Sequence, residues 1–217
     1  MTEAVLSPAQ TTELNKQIAY RLMLGGIHLY MAPLLVSYKA SNEKIREILT
    51  KATWVEGDPA EKRHTQTQMV GTAVGFRRFL VEMSIVGLAR ALESALINIK
   101  KEASIKYDVW RSPYSLVYDK QVKIILSLNN IVKHNQSKVS RNSESGKFLI
   151  NGCGIAEGAD IATLGVDFEA EFCHVYMYLL DLLWSLTGIK HPYLEFNEEE
   201  QRKTITGLFL PEFLRFS

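Results

Sequence analysis

Between Val81 and Ile99, apolar residues return at three- and four-residue steps: Val81, Ile85, Leu88, Leu92, Ala95, Leu96 and Ile99. This is the period of one helix face, whereas a half-buried strand needs alternation at every second residue. Arg78, Glu82, Arg90, Glu93 and Lys100 fall mostly off the stripe. The pattern predicts a helix over about 66–105, or two helices if the glycines at 71, 75 or 87 interrupt it. A stripe of this length has to be buried against other elements, and the rest of the chain offers mainly helices for that purpose.

Three capping residues followed by proline mark helix starts: Ser7-Pro8, Asp58-Pro59 and Ser112-Pro113. Glu61, three residues after Asp58, adds a capping-box pattern. The expectation is a helix over 8–38 bent near Pro33, a shorter one over 42–52, and one from Ser112 to near Asn135. The last carries Val117, Ile124, Ile125, Leu128, Ile131 and Val132 on its core side. Asp167 can cap a long apolar helix through Leu186, with Gly188 as its stop. Phe148-Leu149-Ile150, Asn151-Gly152 and Cys153-Gly154-Ile155 predict a small β-hairpin. The segment from Pro192 can dock as a strand or a short helix.

The fold class expected is therefore mainly α, a single-domain helical bundle with a small β-hairpin insertion. Within it, 1–65 form the N-terminal helices, 66–190 the core and 191–217 a C-terminal segment. A chain of 217 residues with 47% apolar and 23% charged residues can bury one sizeable core.

A net charge of +1 gives no global pull toward nucleic acid or anionic lipid, so any basic site is local. Leu22 to Tyr38 carries no formal charge and just reaches membrane-spanning length, but His28, Pro33 and Gly25-Gly26 favour a buried core helix. The first residues, Met1 to Pro8, lack the basic start and apolar run of a signal peptide. Cys153 and Cys173, twenty positions apart, fit no zinc motif and read as free thiols in a reducing, cytoplasmic setting. No membrane partner, metal or cofactor is expected.

Phosphate-binding loops, dinucleotide fingerprints, nucleophile elbows and zinc-protease helices are all missing from the sequence. The five histidines, His28, His64, His134, His174 and His191, show no i, i+4 pairing. His28 and His174 lie in apolar helical stretches, and His64 and His191 read as loop residues.

His134 stands apart by its surroundings, Ser127-Leu-Asn-Asn-Ile-Val-Lys-His-Asn-Gln-Ser-Lys. Helical spacing puts Ser127, Asn130 and His134 on one polar face. Lys133, Lys138, Arg141 and Lys147 surround it with only Glu144 opposing. An imidazole beside amides and cations suits acid–base work on a phosphodiester, with lysines and amides steadying phosphate charge. The same residues also read as an ordinary helix end, since cations collect at helix C-termini. Asn151-Gly152-Cys153-Gly154 holds no evident histidine partner for a nucleophile.

At this point Asn129-Asn130-Ile-Val-Lys-His134-Asn135 resembles the His half of the motif of the HEPN superfamily. These are helical bundles found in toxin–antitoxin, abortive-infection and CRISPR-associated ribonucleases. Leu88-Ala-Arg-Ala-Leu-Glu93 is similar to the preceding family helix, which often turns an acidic residue toward the motif. The resemblance spans about residues 66–190. It implies a metal-independent endoribonuclease or an RNA binder in defence or growth control, acting as a homodimer. His134 would be the acid–base residue, Asn130 and Asn135 orienting donors, Glu93 the facing acid, and Lys133, Lys138, Arg141 and Lys147 the RNA contacts.

The family arginine is absent, because positions 127 to 130 hold Ser, Leu, Asn and Asn. An amide lacks the permanent charge and forked donors of a guanidinium. Arg90, on the upstream helix, is the residue that could replace it in space, although it can equally pair with Glu93 one turn on. A non-enzymatic helical protein that acts through a protein partner is the competing expectation.

Overall fold

In the computed structural model, which describes residues 8–209, the chain is an all-α bundle with no β-strand among those residues. Six α-helices follow in order: α1 (Pro8–Thr53), α2 (Pro59–Glu102), α3 (Asp119–His134), α4 (Glu144–Cys153), α5 (Phe168–Thr187) and α6 (Glu198–Phe209). Short 3-10 turns at Val109–Arg111, Ile161–Thr163 and Pro192–Glu195 punctuate the connections.

The centre is α5. Phe172, Val175, Tyr176, Met177, Tyr178, Leu179, Leu180, Leu182 and Leu183 are all buried, which leaves this helix almost no polar face. A helix apolar all round needs neighbours on every side, and α1, α2, α3 and α6 supply them. Asp167 starts α5 by accepting from the backbone N–H groups of Glu169 and Ala170, and Gly188, at φ 74°, ends it.

α1 and α2 form an antiparallel hairpin. At 46 and 44 residues they extend to roughly 70 Å, at about 1.5 Å per residue. α1 presents Met23, Ile27, Met31 and Leu35 to the core at four-residue steps, and α2 presents Ile85, Leu88, Leu92, Ala95 and Ile99. The bundle reaches α1 as far as Tyr38, whose ring lies tilted against Phe168 at 4.2 Å, and Lys39, paired with Glu169. Beyond that, Ile45, Ala52 and Ala73 are the buried apolar residues, and the hairpin continues as a two-helix arm. Pro33 does not interrupt α1, so the expected 8–38 and 42–52 helices are one. None of the three glycines breaks α2.

By length and composition α1 could cross a membrane over Ala9–Thr53, with 22% of its most apolar window buried. Its Met23–Leu35 stripe is packed inside the bundle, while Leu14, Ile18, Leu22 and Leu29 are exposed.

The expected β-hairpin at 148–155 is helix α4. Its caps decide the matter: Ser143 Oγ accepts from Gly146 N at 3.1 Å, and Gly154, at φ 71°, closes the last turn onto Ile150 and Leu149 carbonyls. Asn151-Gly152 is thereby carried inside a helix. The nearest thing to a ladder is one isolated bridge between Lys138 and Asp160.

The Ser112-Pro113 signature does not start a helix either. Ser112 Oγ accepts from Tyr114 N, and the chain stays irregular until Tyr118, at φ 57°, turns it into α3. Buried Asp181 on α5 holds that stretch by accepting from Val117 N at 2.8 Å. The Ser7 half of the first signature and residues 1–7 and 210–217 of the outer segments lie outside the described residues. Within the C-terminal segment, α6 takes the helical form of the two expected.

Gly146 is required sterically, since a Cβ there would lie 1.7 Å from the Ser140 carbonyl oxygen. Gly146→Ala should destabilise the chain by about 1–3 kcal/mol through overpacking at the start of α4, read from a urea titration. An unchanged midpoint would mean that this cap is not built as described.

His174 on α5 ties α6 down. It lies 3.4 Å from Glu171 and 3.4 Å from Glu198 of α6, and stacks on Tyr118 at 4.5 Å. Burial alone would lower its pKa, but the two carboxylates outweigh it and raise the value above the ordinary one. A raised folded pKa means that this stabilisation is complete below the unfolded value of about 6.5 and is lost as pH rises through the folded value. His28 and His191 shift downward through burial and work in the opposite sense. The difference in melting temperature between the parent and His174→Gln should therefore shrink from pH 6 to pH 8. A difference independent of pH would remove the ion pairs from the account.

Candidate functional site

α3 is amphipathic. Val122, Ile125, Leu128 and Ile131 point into the core and are buried, while Asn130, Lys133 and His134 are exposed on the other side. Ser127 shares the face of Asn130 and His134 by spacing, yet it is fully buried. The polar face therefore opens to solvent only over the last two turns of the helix. Of the four positions where a motif arginine was sought, Ser127, Leu128 and Asn129 are buried and Asn130 alone is exposed. A guanidinium at the first three would have to be desolvated, which its charge resists.

The helix ends at Asn135, whose N–H donates to the Ile131 carbonyl at 2.9 Å. Gln136 and Ser137 follow with φ 51° and 61°. Two successive left-handed residues that are not glycine cost about 1–2 kcal/mol each. Lys138 then turns back, its N–H donating to the Asn135 carbonyl, and the Ser137 carbonyl accepts from Ile161 N. The carboxamide Nδ2 of Asn135 is buried with no partner. His134 carries no side-chain hydrogen bond or ion pair, and neither Lys133 nor Lys138 has a carboxylate partner among the described residues.

The other two expected RNA contacts are less free. Arg141 Nε lies 3.1 Å from Glu157, and Lys147 Nζ lies 2.6 Å from Glu144. The local positive excess expected from sequence is reduced accordingly, because Glu157 arrives from a segment outside the linear cluster.

α2 and α3 run antiparallel. Glu93, Leu96 and Lys100 face Leu126, Asn129 and Asn130 across a groove, and Arg78 pairs with Asp160 at 2.6 Å, where Asp160 bridges to Lys138. The groove, of about 550 Å³, brings Glu93 and Asn130 together. It does not include His134, or Arg90, which is exposed on α2 and has no ion pair with Glu93.

The segment between α2 and α3 closes the groove with Tyr107, Asp108, Val109 and Trp110. Asp108 Oδ1 accepts from Trp110 N at 2.9 Å and sets the 3-10 turn. The Trp110 ring meets Phe148 of α4 edge-to-face at 5.8 Å. A second groove of about 400 Å³ lies on the α4 side, lined by Trp110, Asn130, Glu144, Ser145 and Phe148. Asn130 donates to Ser145 Oγ at 3.1 Å between the two. Asn129 lines the first groove with its Oδ1 buried and unpartnered.

Sequence reasoning missed Trp110, Tyr107, Asp108 and Lys100 as residues of this groove. The signal was present in Tyr107-Asp-Val-Trp110, two aromatics in a short connection between helices.

The other chemistry-bearing residues are structural. Tyr176 hydroxyl lies 2.7 Å from His28 Nε2, and the Tyr107 and Tyr178 hydroxyls share a hydrogen bond. His64, expected in a loop, is on α2 against Gln68, and His191 caps the 3-10 turn by accepting from Tyr193 N at 3.3 Å. Burial pushes the Cys153 thiol up and the Cys173 thiol up to about 12, the opposite of an activated nucleophile. Both cysteines are free. Among the described residues no three His, Cys, Asp or Glu side chains cluster as metal ligands. Comparison with protein-family models, with curated proteins and with solved structures finds no match to this chain.

Proposed function

We propose that this chain is an RNA-directed helical protein of HEPN-like build, which holds single-stranded RNA across the C-terminal end of α3. The observation that carries the reading is the cluster of Lys133, His134 and Lys138, exposed and, among the described residues, without carboxylate partners, beside a groove of aromatics and amides. Lysines of this kind can neutralise phosphates, and the adjoining groove suits unstacked bases better than a duplex. Asn130, one turn before His134 on the same face, supplies an amide to the same surface.

Holding is preferred to cutting. The four positions where the resemblance places a charged partner for His134 hold Ser127, Leu128, Asn129 and Asn130, none of them charged. Arg90 lies outside the groove that gathers Glu93 and Asn130. Without a guanidinium, charge gathering on phosphate in a transition state is left to the flexible ammonium groups of Lys133 and Lys138, which lack the forked donors of an arginine.

A second reading rests on a separate observation. Leu14, Ile18, Leu22 and Leu29 of α1, with Ile97, Phe79 and Met83 of α2, are exposed apolar residues. Patches of this kind mark protein contacts, and a second copy of the chain or another helical partner would cover them.

The test is retention of labelled single-stranded RNA by the parent, His134→Ala and Lys133→Ala/Lys138→Ala in EDTA, over a salt series. Retention without cleavage is expected, and the salt slope should fall by about 0.7 for each lysine–phosphate pair removed. Retention unchanged by the double lysine variant contradicts the placement. Cleavage that disappears in His134→Ala would replace holding by catalysis. If nothing is retained, the partner reading takes precedence.

A further inference from the structure

The groove between α2 and α3 differs in character from the lysine cluster beside it. Its floor is apolar, from Leu96 and Leu126, and one wall is the indole of Trp110, 48% exposed. Its rim carries two carboxylates, Glu93 and Asp108, against one ammonium, Lys100. Acidic and amide acceptors around an apolar slot repel phosphate and select a flat group with N–H donors on its edge. The lysines lie further along: Lys133 and His134 are three to four residues beyond Asn130, about 5–6 Å along the helix at 1.5 Å per residue.

We propose that this groove is a base-recognition subsite that takes a single unstacked nucleobase bearing an exocyclic amine, stacked on Trp110 with its edge toward Glu93 and Asn129. The proposal rests on the RNA reading above and adds to it where the base goes and which bases are preferred. Trp110 is prepared for the role. Asp108 caps its backbone, and the edge-to-face contact with Phe148 fixes the indole plane while half of the residue stays open.

Asn129 gives an independent reason. Its carboxamide is 2% exposed, lines the groove, and has an oxygen that finds no hydrogen-bond donor. A buried amide with an unsatisfied end is costly, and an apolar residue would serve the core better. An amide at this place is explained by the paired donor and acceptor that a carboxamide presents to adenine, while the Glu93 carboxylate can accept from the exocyclic amine of adenine or cytosine. Uracil offers no amine and should fit worst. The indole also borders the smaller groove toward α4, so a neighbouring nucleotide can pass on its other side.

The test uses the full chain, with two kinds of probe. Saturation-transfer NMR with free adenosine, cytidine and uridine reports the subsite without phosphate contacts. Binding of oligoadenylate, oligouridylate and an abasic oligomer of equal length reports the base contribution within a strand. Adenosine and cytidine should receive saturation more strongly than uridine, and Trp110→Leu should abolish the effect. In Trp110→Leu, oligoadenylate affinity should fall about tenfold, as expected when one stack is removed, while abasic binding stays unchanged. Trp110→Phe should retain part of the affinity, which separates stacking from a folding defect.

Oligoadenylate and abasic strands bound equally well would overturn the subsite and leave the RNA reading standing. Nucleosides bound in a Trp110-dependent way, with no strand retained, would keep the subsite and remove the RNA reading. Saturation of an arginine amide in place of the nucleosides would overturn the proposal in favour of a basic peptide.

Discussion

Burial of α5 on every side is the constraint from which the rest of this structure follows. At about 1.5–3 kcal/mol for each large apolar side chain removed from water, nine such residues on a single helix can be stabilised only by a complete surround. α1 and α2 cover one flank, α3 another, and α6 lies over Phe172 and Tyr176 through Phe209. α3 is therefore held between α2 and α5, which fixes which of its sides faces water. Asn130 and His134 are outward because Val122, Ile125, Leu128 and Ile131 are required inward.

Local charge then divides the surface beyond α3. Arg141 and Lys147 have carboxylates of their own, whereas among the described residues Lys133 and Lys138 do not. The segment that carries Lys138 passes through two left-handed residues, a conformation the chain maintains against its intrinsic preference. The two strained residues, Gln136 and Ser137, lie between Lys133 in the last turn of α3 and Lys138 in the loop beyond it. In the proposed reading the acidic, aromatic groove complements these lysines, since a nucleotide presents a flat donor-bearing face at one end and an anion at the other.

Much of this was legible in the sequence. The α2 stripe, the Asp58-Pro59 start and the Asp167 and Gly188 bounds of α5 are local signals, and local physics decides them. The failures share a cause, which is competition between local signals. Asn151-Gly152 is a good turn pair, but Ser143 and Gly154 cap the segment at both ends and its apolar residues pack as a helix. Ser112-Pro113 reads as a helix start, yet Asp181, distant in sequence, takes the Val117 N–H and holds that segment irregular. At the site, spacing placed Asn130 and His134 on one face, but it could not show that Ser127 on that face is covered. Glu157 beside Arg141 and Trp110 beside Asn130 are tertiary facts that no spacing contains.

The most direct measurement of the central claim is amide hydrogen exchange of the full chain with and without a saturating oligoadenylate. The account predicts slowed exchange over about 107–111 and 130–138, and no change along the α1–α2 arm. Protection confined to the outer faces of α1 and α2, with the end of α3 unaffected, would contradict it.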